Sequence, residues 1–493
     1  MKSITSKNIN LFILFAVLFI SSCKKEEVKP EVTLVTIPKA TDVNKFIFNG
    51  LSDYYLWNSQ IPELVDKNYQ NTDSLNAFLN KYTDPQDLFT SLLYQYKVID
   101  KWSFLVEDAK TLDDWISGTS KTMGYDLDLR KLNGTIFGIV RYVYSGSPAE
   151  KAGLNRGDIF STVNDQEITA SNYQKLLFDT EVYKLGFASI VDNYVVPINK
   201  TMSMTAIEMQ ENPINKDTIF TYENQKIGYL VYNGFNSDYD IELNNVMKNF
   251  KDGNIEQMVL DLRYNGGGSI SSCIYLASMI YSTDENLVFA RSKYNAAVER
   301  MITEQEGASA LVNNFTKKIA ATEFSPAATI SSLNLKKIYV IVSDNTASAS
   351  ELLINGLRPY MNVVVVGINT YGKYTGSFTI KDWIDDKGNV NPNHKYAMQP
   401  ITVKIANSEG VSDFVDGLAP TIRAEEDLAH LLPFGDPNET LLRIVLADIK
   451  GIPVTGMALK SAQFGLEKIA DSHDFKPFAH DMYINPIRKK NQD

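Results

Sequence analysis

The stretch "EQMVLDLRYNGGGSISSCIYLASMIYS" (Glu256 to Ser282) runs from an apolar strand, Met258 to Leu262, through three glycines straight into an amphipathic helix. Strand, glycine turn and helix in that order form the repeating unit of a layered α/β domain. The unit recurs at "KKIYVIVSDNTASASELLINGLRPY" (Lys336 to Tyr360), followed by the strand "NVVVVGIN" and the turn "TYGKYTGS" (Thr370 to Ser377). Upstream, "KIGYLVYNGF" reads as a strand and "DIELNNVMKNFKDG" as a helix ending on Gly253. The alternation predicts an α/β core over residues 206–450.

Gly266, Gly267 and Gly268 lie at the first strand-to-helix turn, where backbone N–H groups point at whatever sits above the helix start. A phosphate loop would want a lysine and a hydroxyl after the glycines, and "NGGGSIS" has no such lysine. A tight turn and an oxyanion hole both stay open. The second turn, "SDNTASASELL" (Ser343 to Leu353), sets Ser348 three residues before Glu351, the signature of a capping box. A hydroxyl at a helix start is also where a nucleophile gains exposure and dipole, and the motif alone leaves cap and nucleophile open.

A serine nucleophile needs a base. His394, His430, His473 and His480 all follow the turn, and none sits in a motif that would orient it. Lys373 stands in the glycine-bounded turn "YGKYTG", directly after a buried strand. Burial disfavours the charged amine, and bringing its pKa from about 10.4 to near 7 costs roughly 1.4 kcal/mol per unit. A neutral Lys373 would then accept the proton of Ser348.

Towards the N-terminus, "GTIFGIVRYVYSGSPAEKAGLNRGDIFSTVNDQEI" (Gly134 to Ile168) alternates short strands with glycine turns around one short helix. Residues 119–205 resemble a PDZ domain, which implies that a peptide adds as a strand to a sheet edge beside a helix. The carboxylate loop would be "MGYDL" (Met123, Gly124, Tyr125, Asp126, Leu127) and the groove helix "SNYQKLLFD"; Asp126 departs from what a terminal carboxylate would favour. Residues 41–118 carry an aromatic-rich helical pattern with Asp84-Pro85 as a helix start.

Together, the PDZ domain, "LDLRYNGGG", "TASASE" and "TYGK" resemble the C-terminal processing (tail-specific) peptidases, Ser-Lys endopeptidases with a ClpP/crotonase-type α/β core. The resemblance spans roughly residues 120–450 and implies a multidomain α/β protein: a small N-terminal helical domain, a PDZ domain and a peptidase core. In that family the catalytic lysine follows the nucleophile by 25 residues, and 373 − 25 = 348 selects Ser348 over Ser350. A step of two residues along a helix turns a side chain by about 200°, in agreement. The implied oxyanion donors are the backbone of Gly267 or Gly268 and of Ala349. The family's amine-orienting glutamine, four residues after the lysine, is replaced by Ser377, and an aspartate found in some members by Pro359.

At the start of the chain, Lys2 and Lys7 precede "LFILFAVLFI" and then "SSC" ending at Cys23. Ten apolar residues are too few to span a bilayer, for which about 20 are needed. The pattern resembles a bacterial lipoprotein signal, residues 1–22, with Cys23 acylated and residues 23–40 a tether. Acylation would leave Cys273 unpaired, a small buried residue. The implied location is an outer membrane lipoprotein on the periplasmic face or the cell surface. The rest, residues 451–493, reads as a polar C-terminal tail.

The net charge of −11 argues against nucleic acid as a partner. Substrates are then proteins or peptides, the membrane is met through Cys23, and neither cofactor nor metal is called for. Loss of the family glutamine also admits a catalytically weak or inactive peptide-binding lipoprotein that uses its PDZ domain.

Overall fold

A computed structural model describes residues 37–322, 325–385, 387–454, 465–476 and 479–484. Cys23, the leader and most of the tether lie outside the described residues. Among the described residues no helix is long and apolar enough to cross a membrane.

The core is built on a six-stranded sheet in the order 214–222, 225–232, 257–261, 337–342, 362–367 and 422–423. The first pair is an antiparallel hairpin and the others run parallel. Because successive side chains of a strand face opposite sides, a sheet covered on both faces needs apolar residues at every position. Met258 and Leu260 pack with the helices Asp240–Asp252, Ile270–Ile280 and Ala349–Leu357, whereas Val259, Tyr339 and Ile341 pack against Thr440–Ile449 on the other face.

Parallel strands leave their carboxyl ends on one edge, and the loops after them form a crevice there. The glycine turn follows strand 257–261, the "TASASE" turn follows the adjacent strand 337–342, and the "TYGK" turn follows the next, 362–367. Three segments far apart in sequence therefore meet at one place.

The N-terminal helices Asp42–Tyr54, Thr72–Leu79 and Pro85–Ser91 are capped by Thr41, Asn71 and Asp84. Their buried Phe46, Leu51, Phe78 and Leu88 belong to the same apolar cluster as Leu260 and Leu353, so they share the core of the α/β unit. The helical pattern read over residues 41–118 also contains a strand, Phe104–Val106, paired antiparallel with Ala397–Gln399.

The PDZ sheet runs 125–132, 135–143, 159–163, 182–191 and 194–205. Its helix Pro148–Ala152 starts on Ser147, whose Oγ accepts from Glu150 N–H, and ends on Gly153 at φ +86°. The outer edge of this sheet is covered by Glu467–Asp471, which pairs antiparallel with 125–132. Met482–Tyr483 pairs in parallel with both Gly268–Ser269 and Ser377. The described part of the C-terminal tail is thus strand structure docked on two sheets, where the sequence reads only as a polar tail.

Candidate active site

The glycine turn and the "TASASE" turn are stitched together by backbone and side chain. Thr346 Oγ1 donates to Leu262 O at 2.7 Å, Ala347 N–H to Asn265 O at 3.0 Å and Ser350 Oγ to Asn265 O at 3.1 Å. Ser350 is thereby committed to the turn. Cys273 is buried, as anticipated, and its Sγ donates to Ala349 O at 3.3 Å.

Ser348 has φ +63° and ψ −114°, a conformation that non-glycine residues rarely adopt and that is retained mainly where the surroundings over-determine it. Its Oγ is buried without a hydrogen-bond partner among the described residues. The hydroxyl is therefore not spent on capping. Gly267, at φ +116°, lies so close that a Cβ there would meet Ser348 Cβ at 2.6 Å and Asp481 O at 2.7 Å. Only glycine lets the two turns approach in this way.

The other half of the capping box is formed and does more than cap. The Glu351 carboxylate accepts from Ser348 N–H and Lys373 N–H, each at 2.8 Å on Oε2. On Oε1 it accepts from Gly372 N–H at 2.8 Å and Thr370 Oγ1 at 2.5 Å. One buried side chain thus holds the serine turn and the lysine turn in fixed relation. Burial pushes its carboxyl up to about 7, against the pull of the four donors. Because this lies above the ordinary 4.5, its contribution to stability is complete below pH 4.5 and is lost as pH rises through about 7. Glu351→Gln is expected to flatten that slope in thermal unfolding measured from pH 4 to 8. It also turns an NH2 donor towards backbone donors, at a cost of about 2 kcal/mol.

Lys373 is buried, 1% exposed, with its amine above the Trp102 ring at 5.5 Å. The amine is ion-paired to the Asp481 carboxylate, a partner that the sequence did not anticipate. Burial raises the Asp481 carboxyl, and Lys373 opposes that rise. His480, next to it, is held well below the ordinary range by burial and stacks on Tyr371 at 4.1 Å and on His473 at 5.4 Å.

Of the implied oxyanion donors, Gly267 gives its N–H to Asn265 Oδ1 at 2.9 Å, Gly268 pairs with Met482, and Ala349 opens the helix. Ser377 does not reach the amine directly. Its Oγ accepts from Gln399 Nε2 at 3.0 Å and donates to Met482 O at 3.4 Å, and it also lies against the Asp481 carboxylate that holds the Lys373 amine.

In the PDZ loop, Asp126 is fully buried and paired with Arg141, whose guanidinium also meets Asp471 at 3.3 Å and His473 at 2.9 Å. Asp126 therefore balances a buried cation, and its reading as a peptide-binding residue is corrected accordingly. Met123, Tyr125 and Leu127 line a groove of 330 Å³ together with Leu177, Phe178 and Tyr183. Gly124, at φ +83°, closes the turn by accepting from Tyr144 N–H at 2.8 Å. Asp481 and Glu351 are the two residues at this centre that the sequence did not single out for it. A short alternating stretch, "AHDMYI", is the sole trace of the first.

Residues 226–412 match the model of peptidase family S41, residues 42–104 that of the peptidase S41 N-terminal domain, and residues 139–181 a PDZ domain. The chain is similar to the carboxy-terminal processing protease CtpA of Bacillus subtilis (strain 168), with 25% identity over 341 residues, 68% of this chain and 62% of the relative. It is also similar to a CtpA-like serine protease of Staphylococcus aureus (strain COL), with 23% identity over 269 residues, 54% of this chain and 47% of the relative. The match thus spans about half the length of the latter. Among solved structures, an S41 protease of Bacteroides fragilis NCTC 9343 superposes with a TM-score of 0.63 and 26% identity, covering 83% of this chain and 97% of that one.

Proposed function

The chain belongs to peptidase family S41, and from that premise we propose that it is a serine endopeptidase of the C-terminal processing type. It cleaves peptide bonds of protein substrates outside the cytoplasm while anchored to the outer membrane through acylated Cys23. The observation that carries the catalytic assignment is the convergence of Ser348 N–H and Lys373 N–H on one Glu351 oxygen beside a Ser348 Oγ that has no hydrogen-bond partner among the described residues.

In the working cycle the Lys373 ammonium gives its extra proton to solvent as it leaves Asp481, and the neutral amine then takes the proton of Ser348 Oγ as the oxygen bonds to the substrate carbonyl carbon. The carbonyl electron pair moves onto oxygen, where the N–H groups of Gly268 and Ala349 would receive it. Collapse of the tetrahedral species breaks the C–N bond, and the Lys373 ammonium returns its proton to the leaving amine. Water then repeats the sequence on the acyl-enzyme, releasing a carboxylate and restoring Ser348. The PDZ groove supplies a second hold on an extended peptide.

The test is degradation of an unfolded reporter protein by the full chain and by Ser348→Ala. Fragments released by the wild type alone support the assignment. Equal inertness of both across several substrates leaves a peptide-binding lipoprotein.

A further inference from the structure

We propose that residues 467–476 and 479–484 are a built-in occupant of both the PDZ groove and the catalytic cleft, keeping substrate from Ser348 until they leave. The inference rests on the peptidase reading above.

In the groove the segment behaves as an added strand. Glu467 pairs with Lys131 and Asp471 with Asp128, and Leu127 N–H donates to Ser472 Oγ at 2.9 Å. The Phe475 ring stacks on Phe178 at 3.9 Å and meets Tyr173 edge-on at 5.9 Å, so an aromatic side chain is seated at the groove helix. Lys476 then bonds Tyr144 Oη at 2.6 Å, between the groove and the cleft.

Within the cleft the same segment lies where an extended substrate would have to lie. Met482 is in register with Gly268 and Tyr483 with Ser269, and Ile484 N–H donates to Ser377 O at 3.0 Å. Ala479 O stands against Gly266 and Asp481 O against Gly267, which also faces Ser348. With the segment in place Ser348 is 0% exposed. The Asp481 carboxylate takes the Lys373 amine, which removes the base from the serine. Occlusion of the nucleophile and capture of the base by one segment describe an inhibitor held in cis. Because it is tethered, its effective concentration is high, yet each contact is that of a replaceable peptide.

The experiment compares the full chain with Phe475→Ala and with Asp481→Ala, scoring hydrolysis of an unfolded fluorescent reporter and hydrogen exchange of the amides of residues 479–484. Both variants are expected to turn over at least fivefold faster than the wild type. Exchange at 479–484 should rise while the strands 257–261 and 337–342 stay protected. A synthetic peptide of residues 467–484 should bring Phe475→Ala back towards the wild-type rate. Turnover equal to or below the wild type in both variants, with the core strands protected, overturns the inference, and so does free exchange of 479–484 in the wild type. If wild type cleaves and Ser348→Ala does not, either of those results defeats the inhibitor alone. If every form is as inert as Ser348→Ala, the peptidase reading fails, and inhibition fails with it.

Discussion

Lys373→Ala is expected to lower hydrolysis of an unfolded reporter by about 10³-fold, in the range that general acid–base catalysis supplies. That loss corresponds to about 4 kcal/mol of transition-state stabilisation. The backbone of Lys373 is held independently of its side chain, because its N–H bonds Glu351 at 2.8 Å. Truncation therefore removes the amine and leaves the turn in place. It also leaves the buried Asp481 carboxylate without its cation, so the terminal segment should loosen even as activity falls. Lys373→Met, which keeps the apolar stem over Trp102 but lacks the cation as well, excludes lost packing as the cause, and catalysis does not return. Combining Lys373→Met with Ser348→Ala should cost no more than either change alone, since residues acting as one unit are not additive. A double variant clearly slower than both singles would mean that serine and lysine serve different steps.

Arg263→Met should destabilise the core by about 3–5 kcal/mol, the range seen when one partner of a buried charge cluster is removed. Arg263 is 1% exposed, and its guanidinium bonds Asp261 at 2.7 Å, Glu439 at 2.7 Å and Glu426 at 2.6 Å. Without it three carboxylates face one another at the end of strand 257–261 with Arg156 as the remaining guanidinium beside them. Burial by itself would raise the Glu426 carboxyl, but Arg156 and Arg263 bring it down to about 2. A carboxyl depressed in this way contributes stability that is full above pH 4.5 and is lost as pH falls through about 2. Acid unfolding of the variant should therefore begin at higher pH than in the wild type. Arg263→Lys should not rescue it, since a point charge cannot replace a planar fork bonded to several carboxylates at once. Activity falls along with stability, because Ser343 Oγ bonds the Arg263 carbonyl and joins this turn to the one that carries Ser348. Urea denaturation followed by far-UV circular dichroism gives the stability, and a midpoint unchanged from the wild type would contradict the assignment.

Much of the protein was legible in the chain because its signals are local. Short continuous apolar runs ending in glycine or small polar residues mark the strand-to-helix turns at Gly266 and Ser348 without reference to any contact. Their order along a parallel sheet then places them on one edge, and the family resemblance, through its 25-residue register, selects Ser348 as the partner of Lys373. Asp84-Pro85, Ser147-Pro148 and Gly153 announce helix ends by the same local chemistry.

What tertiary structure decided lies in pairs that no local pattern encodes. Lys373 and Asp481 are 108 residues apart, Arg141 and Asp471 are 330 apart, and Leu127 meets Ser472 across 345. A buried charge must find an opposite charge, yet the energy that enforces the pairing depends on burial and not on sequence distance. Asp126 accordingly looked like part of a peptide site and proved to be the partner of Arg141. Ser377 stood where an amine-orienting group was expected, and its strand sets the hydroxyl among Gln399, Met482 and the Asp481 carboxylate. Sequence by itself determined which residues could do chemistry, through turn and strand signals that act within a few residues. The fold alone decided which of them are engaged, because burial and long-range strand pairing bring the terminal segment onto the amine and the serine.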